Sequence, residues 1–453
     1  MEGLMRMRRY ICLAFMALCV GHAAAEEGQW RTHFSYNSVQ QIAVTPTEVY
    51  ALANGAVFSV NKQSEQLTTY TNQSGLHGTE LACMAYDSER GQLLLLFADG
   101  KLDIMRGGAI RYVSDLYQKR MTASKYCNNV SIYGNKAYLS MEFGVLLFDL
   151  DKYEFKDAYY IGEKASEVRV TDVLLHGDSI YAQTEEGVYR ACLNDKLVDY
   201  RYWTVGTTSP VAFDVQKGKI VADNQGNIWE ADGRNGVHRR MPTGEEVYYL
   251  PEGPEVNVPY RMTVSNGRLY VVPGGRWAVQ NSTPGHVMML ENGHWQNITC
   301  ETIQAATGKP ALDFMNVGVD PKNKDHFFVT SYGTGVYEFE NGTLKHHYHP
   351  DNSILQSAVA DVPERYTRTD GAVFDAAGRV WVENVSDVDN NLVVFMPDGN
   401  QKGVNLYTEQ GRYIYYTPSE ICIDNHDARC KWFLSCRSET AVLRWDDGGT
   451  PFD

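Results

Sequence analysis

The 453-residue sequence predicts an all-β protein assembled from one short sheet used many times, and three observations carry that prediction. Apolar and polar residues alternate with period two in run after run, and no stretch sustains the 3.6-residue amphipathic period of a helix. Twenty-nine Tyr and 39 Gly stand against only 21% charged residues; aromatic rings fit a pleated surface, and Gly supplies the positive φ that tight turns need. Third, a strand–turn–strand phrase recurs. Its turn glycines at 55, 100, 144, 187 and 226 lie 45, 44, 43 and 39 residues apart, with longer steps of 59 and 50 to Gly285 and Gly335.

A period of 40 to 50 residues with only strand signals is that of a β-propeller blade, a four-stranded sheet set radially among others. Helical solenoids lack the required period here. A transmembrane barrel would show a continuous outward apolar band, whereas Lys, Asp and Glu interrupt nearly every strand.

Taken in order, residues 1–25 read as a cleaved export signal. Arg6, Arg8 and Arg9 form a basic front, 10–20 is an apolar run, and Ala23, Ala24 and Ala25 supply small residues for cleavage. Leu18 ahead of Cys19 disfavours lipidation. No later run of about 18 apolar residues could span a bilayer as a helix. The expected place is the periplasm or cell surface. The formal charge is −15 and becomes more negative when the leader removes three Arg and one Glu, so nucleic acid and anionic lipid are repelled.

The repeats follow at 42–62, 93–105, 130–150, 173–193, 213–230, 262–293, 317–342, 373–399 and 421–446. The cleanest copy is Ser331 to Gly342 (SYGTGVYEFENG), in which a turn at Gly333 to Gly335 joins a β run to Val336, Tyr337, Glu338 and Phe339. Those four are expected to alternate between the two sides of the sheet. Seven copies predict a seven-bladed first propeller over 26–366, leaving 367–453 as the beginning of a second or as closing blades of the first. A ring must close, because an open one leaves edges unprotected. The sequence is therefore expected to be part of a longer protein.

Cys83, Cys127, Cys192 and Cys300 are scattered singly among apolar residues and read as buried thiols. A hairpin turning at His426 would set Cys422 opposite Cys430 and permit a disulfide, whereas Cys436 is too far along its strand from Cys430.

Candidate chemistry is sparse. His347 and His349 would share a strand face with His346 pointing away, but no Cys completes a metal set, and an exposed polar strand end is the preferred reading. Asp387, Asp389, Asn391 and Asp398 resemble a calcium loop only faintly, since Leu392 stands where the loop needs Gly; an Asp-rich hairpin turn explains them. Tyr248, Tyr249 and Tyr260, or Tyr413, Tyr415 and Tyr416, could form a binding rim, but packing between blades is the preferred reading. There is no G-x-S-x-G elbow and no pattern that selects a carboxylate pair. The expectation is no catalytic, cofactor or metal site.

Trp30 to Asn37 (WRTHFSYN), Ser74 to Gly78 (SGLHG) and Phe97 to Met105 (FADGKLDIM) resemble the amino-terminal propeller of the PorZ family, exported Bacteroidetes proteins of the type IX secretion system. The resemblance implies two propellers followed by a β-sandwich, and a non-catalytic cell-surface scaffold. Its partners would be a sortase-like protease, outer-membrane proteins and anionic lipopolysaccharide or another glycan. Residues 180–190 and 335–339 also resemble propeller repeats in periplasmic ectodomains of hybrid two-component regulators. A ligand-sensing ectodomain is thus the alternative, and a polysaccharide-active enzyme a third reading.

Overall fold

The computed structural model describes residues 30–276, 282–385, 390–407, 418–435, 441–450 and 452. The expected leader lies outside them. Among the described residues no helix is long and apolar enough to cross a membrane.

Local chemistry makes the hairpins. Asn54–Gly55, Asn266–Gly267, Asn292–Gly293 and Asn341–Gly342 each have positive φ at both positions, the twist that a two-residue turn must have to join right-twisted strands. Around the first of them Glu48–Ala53 pairs with Ala56–Asn61 in continuous antiparallel register.

Among the described residues nine short antiparallel sheets follow one another, as the nine repeats predict, two of them bonded into one sheet of eight strands, and they form a multi-blade propeller architecture. By contact the chain divides into two units, Gln29–Gly253 and Pro254–Asp453. The first holds five sheets, spanning 39–70, 81–113, 127–159, 170–192 and 220–249; the second holds four, spanning 261–298, 314–348, 367–404 and 418–446. The sequence expects the first propeller to run to 366, after seven copies; copy number along a chain and contact between sheets are separate properties, and contact groups the sheets as five and four. The seventh and eighth sheets are in fact joined by backbone pairing of Tyr332 with Arg368 and of Gly333 with Thr367.

Within each unit the innermost strands come together and the sheets share cores. In the first unit Val39–Val44, Leu81–Asp87, Cys127–Tyr133 and Val170–His176 lie side by side in that order, and Val39–Val44 also meets Ile220–Ala222. Cores join the fifth sheet to the first, the first to the second, the second to the third and the third to the fourth. A sheet between two others is buried on both faces. Val336, Tyr337, Glu338 and Phe339 are accordingly all buried, with Val336 in the core on one side of their sheet and Tyr337 and Phe339 in the core on the other.

One device recurs at the outer hairpin. Gly144, Gly236 and Gly335 open the third strand of their sheets with φ of 143°, 81° and 87°. A Cβ there would stand 2.0, 2.2 and 2.3 Å from the carbonyl oxygens of Tyr159, Tyr249 and Tyr348, which end the fourth strands. Only Gly permits both the dihedral and the approach.

Candidate functional site

Two clefts between neighbouring sheets are built from the alternate faces of their strands. In the first unit a cleft of about 520 Å³ separates the first and second sheets and is lined by Tyr50, Tyr70, Tyr86, Glu48 and Arg106 among others. Tyr50 and Tyr70 have ring centroids 5.8 Å apart, and the Tyr70 hydroxyl lies 3.2 Å from Ser59 Oγ. Burial pushes the Tyr50 hydroxyl well above its ordinary value, so it remains a neutral phenol. Glu48 accepts from Asn61 Nδ2 at 2.6 Å. The cleft offers aromatic faces, one carboxylate and one guanidinium, which suits a ligand with flat apolar faces and polar edges.

The second unit has a cleft of about 510 Å³ between its seventh and eighth sheets. Glu338 lies at its base and accepts from His326 Nε2 at 3.0 Å, Lys345 Nζ at 3.0 Å and Tyr348 Oη at 2.7 Å. Burial works to raise this carboxyl, but those three donors hold it at about 2. The bond to Glu338 raises the pKa of His326 against its own burial. Phe328, Tyr348 and Phe395 form the apolar wall. Glu338 is an ionised, engaged carboxylate, ill-suited to take up a proton near neutral pH.

The hubs differ from the clefts. In the first unit Lys217 Nζ donates to Ser131 Oγ at 2.7 Å and to Asp172 Oδ1 at 3.0 Å, beside a cavity of about 290 Å³. In the second, Asp370 is wholly buried between Arg261 Nη1 at 3.2 Å and Arg276 Nη1 at 3.1 Å. Burial pushes its carboxyl up to about 6 against the pull of both guanidinium groups.

Residues 49–204, which hold the first cleft's tyrosines, match the model of the N-terminal β-propeller domain of PorZ, a type IX secretion protein. The solved structure of PorZ, described as an essential bacterial surface component of the type IX secretion system of Porphyromonas gingivalis, superposes with a TM-score of 0.79 at 21% identity. The match covers 94% of this chain and 67% of the PorZ chain. The extracellular domain of a hybrid two-component system from B. thetaiotaomicron matches over 91% of this chain and 54% of its own, at 12% identity and a TM-score of 0.32, too low to bear on the comparison. No curated protein matches. The likeness to PorZ thus extends the propeller fold across most of the chain.

The residues singled out from sequence mostly do not converge. His347 is not exposed: its Nε2–H donates to the Thr334 carbonyl at 2.6 Å, its ring stacks on Tyr337 at 4.2 Å, and burial lowers its pKa to about 4. His349 is also buried, donating from Nε2 to the Pro363 carbonyl at 3.2 Å; His346 alone is exposed. The expected polar strand end is therefore a packed one, because a helical turn at Pro363–Tyr366 covers it. Asp387 and Asp389 lie outside the described residues, as do Tyr413, Tyr415 and Tyr416. Asn391 is buried and accepts from the Leu406 amide, while Asp398 caps an exposed turn at the other end of Leu392–Phe395. Tyr248 and Tyr249 point to opposite faces of their strand, Tyr248 stacking on His238 and Tyr249 against Trp229, and Tyr260 belongs to the other unit. Cys422 pairs with Trp432 and Cys430 with Asp446, so the two thiols are out of register and both free. Tyr50, Tyr70 and Tyr86 were missed; they sit in three separate strands, and only packing brings them to one cleft.

Proposed function

We propose that the protein is a non-catalytic scaffold at the bacterial cell envelope, working in a type IX secretion attachment complex as a PorZ-like component. The observation that carries this reading is the match of 49–204 to the PorZ N-terminal propeller, supported by the 0.79 superposition over nearly the whole chain. The export leader read from 1–25 agrees with a place outside the cytoplasm. The partners that follow are a sortase-like protease and outer-membrane proteins.

Lipopolysaccharide is the glycan partner of choice, and the tyrosine-walled cleft is its seat. Sugar rings stack on Tyr faces, and Arg106 supplies a positive group for an acidic substituent on an otherwise acidic protein. Deleting the gene should abolish surface delivery of type IX cargo, and a deletion strain that secretes normally would overturn the scaffold reading. Loss of lipopolysaccharide binding in Tyr86→Ala, with secretion scored separately, tests the cleft.

A further inference from the structure

Four innermost strands of the first unit carry the same irregularity. Val39–Val44, Leu81–Asp87, Cys127–Tyr133 and Val170–His176 each hold one extra residue in second place, Gln40, Ala82, Asn128 and Thr171, opposite a regular partner strand. A bulge re-aims the side chains that flank it, and here they reach the innermost strand of the next sheet. Gln41 Oε1 accepts from the Met84 amide at 2.8 Å, Asn128 Nδ2 donates to the Val170 carbonyl at 2.9 Å, and Asn129 Nδ2 donates to Asp172 Oδ1 at 3.1 Å.

Between the second and third sheets the same device brings two thiols together. Cys83 follows the extra residue of its strand and Cys127 precedes that of its own, the relation that Asn129 bears to Val170 one sheet further on. Both cysteines are 1% exposed and belong to the core that joins these two sheets. The Cys127 thiol donates to the Asn129 carbonyl at 3.2 Å, and the Cys83 thiol lies within hydrogen-bond reach of Cys127. Burial pushes the Cys83 thiol well above its ordinary value, and the Cys127 thiol adds to that rise. Both are thiols in the structure.

We propose that Cys83 and Cys127 form a disulfide site that staples the second sheet to the third outside the cytoplasm. Side-chain rotation brings two sulfurs at such a separation to bonding distance. The oxidant is another disulfide, that of a thiol oxidase or of glutathione. The two cysteines give up two hydrogens as their S–S bond forms, and the incoming disulfide takes them up as two thiols. Exchange needs a thiolate and an open path, neither of which the folded core offers, so the bond forms while the two sheets are still apart. The same burial then shields it from reductant. The cysteines lie 44 residues apart, so joining them removes much freedom from the unfolded chain. The proposal draws on the export leader read from 1–25 and not on a role in secretion.

The test refolds the full chain from urea in a mixture of glutathione and its disulfide, blocks free thiols with iodoacetamide under denaturing conditions, and maps the peptides. Cys83 and Cys127 should be recovered unalkylated in one cross-linked pair. The oxidised protein should unfold on the order of 5 °C above the same protein refolded in dithiothreitol. In Cys83→Ala that difference should vanish and Cys127 should be alkylated, whatever the variant's own stability. Alkylation of both cysteines in the oxidised sample, or pairing of either with a different cysteine, overturns the proposal. So does a cross-linked protein no more stable than the reduced one, or a difference that survives Cys83→Ala. Secretion enters none of these readouts, so they stand apart from the scaffold experiment.

Discussion

The two hubs make an instructive pair. In the first unit the charged residues of the innermost strands remain partly wet: the Lys217 and Asp172 side chains are 33% and 12% exposed, and Asp172 also accepts from Asn129 Nδ2 and Ser131 Oγ. In the second, Asp370 has no exposure, and two arginines, one of them almost fully buried, close on it. Tyr332 lies beneath the guanidinium groups of both Arg276 and Arg368. Similar sheets therefore surround centres of different electrostatic character. Blade faces are constrained by their neighbours, whereas residues facing the axis meet only one another, and so the same fold tolerates a solvated ion pair in one place and a dry cluster in the other.

The largest expected effect is at Asp370. Asp370→Ala removes the acceptor that sits between Arg261 and Arg276 and leaves both guanidinium groups without it, and should cost about 3–5 kcal/mol. Asp172→Ala, in a wetter setting with several partners, should cost about 1–2 kcal/mol. Hydrogen exchange resolved by segment reads each unit separately. Equal losses would remove the distinction between the hubs.

Next come the glycines that both units share. Gly144→Ala in the first unit and Gly335→Ala in the second each force a side chain onto a tyrosine carbonyl at positive φ and should cost about 2–3 kcal/mol. Gly91→Ala, with open space around it, should cost about 1 kcal/mol. Unequal losses at Gly144 and Gly335 would show that the outer hairpins are not equivalent.

A pH series sharpens the contrast further. Asp370 has a folded pKa of about 6 against an ordinary 3.8, so its ionisation is costlier in the folded state. The second unit should lose stability as pH rises between about 4 and 6, and Asp370→Asn should flatten that step. Glu338 acts oppositely. With a folded pKa of about 2 against 4.5, its contribution is present above 4.5 and fades as pH falls toward 2. Urea midpoints across pH 2 to 7 check both signs. The smallest effect is at the first cleft, where Tyr86→Ala removes a half-buried ring and should shift stability by about 1 kcal/mol while changing ligand binding.

The repeats were legible because their signals are local. Asn-Gly turns and alternating runs specify hairpins within about ten residues, and all nine sheets correspond to copies seen in the chain. Residues whose roles depend on distant partners were not legible. His347 and His349 look like a polar strand end until Tyr337 and Pro363–Tyr366 cover them. Cys422 looks like a partner for Cys430 until the register puts Trp432 there instead. The cleft tyrosines are adjacent only because two sheets pack side by side.

The amino-acid sequence alone determined that this polypeptide forms short antiparallel sheets of a propeller, because turn geometry and strand alternation act between near neighbours. Only the tertiary structure decided how those sheets divide between two units and which charges meet at each centre. Those outcomes depend on contacts between segments tens to hundreds of residues apart, as when Glu65 meets Arg239, and no local pattern encodes which distant surface a side chain will touch.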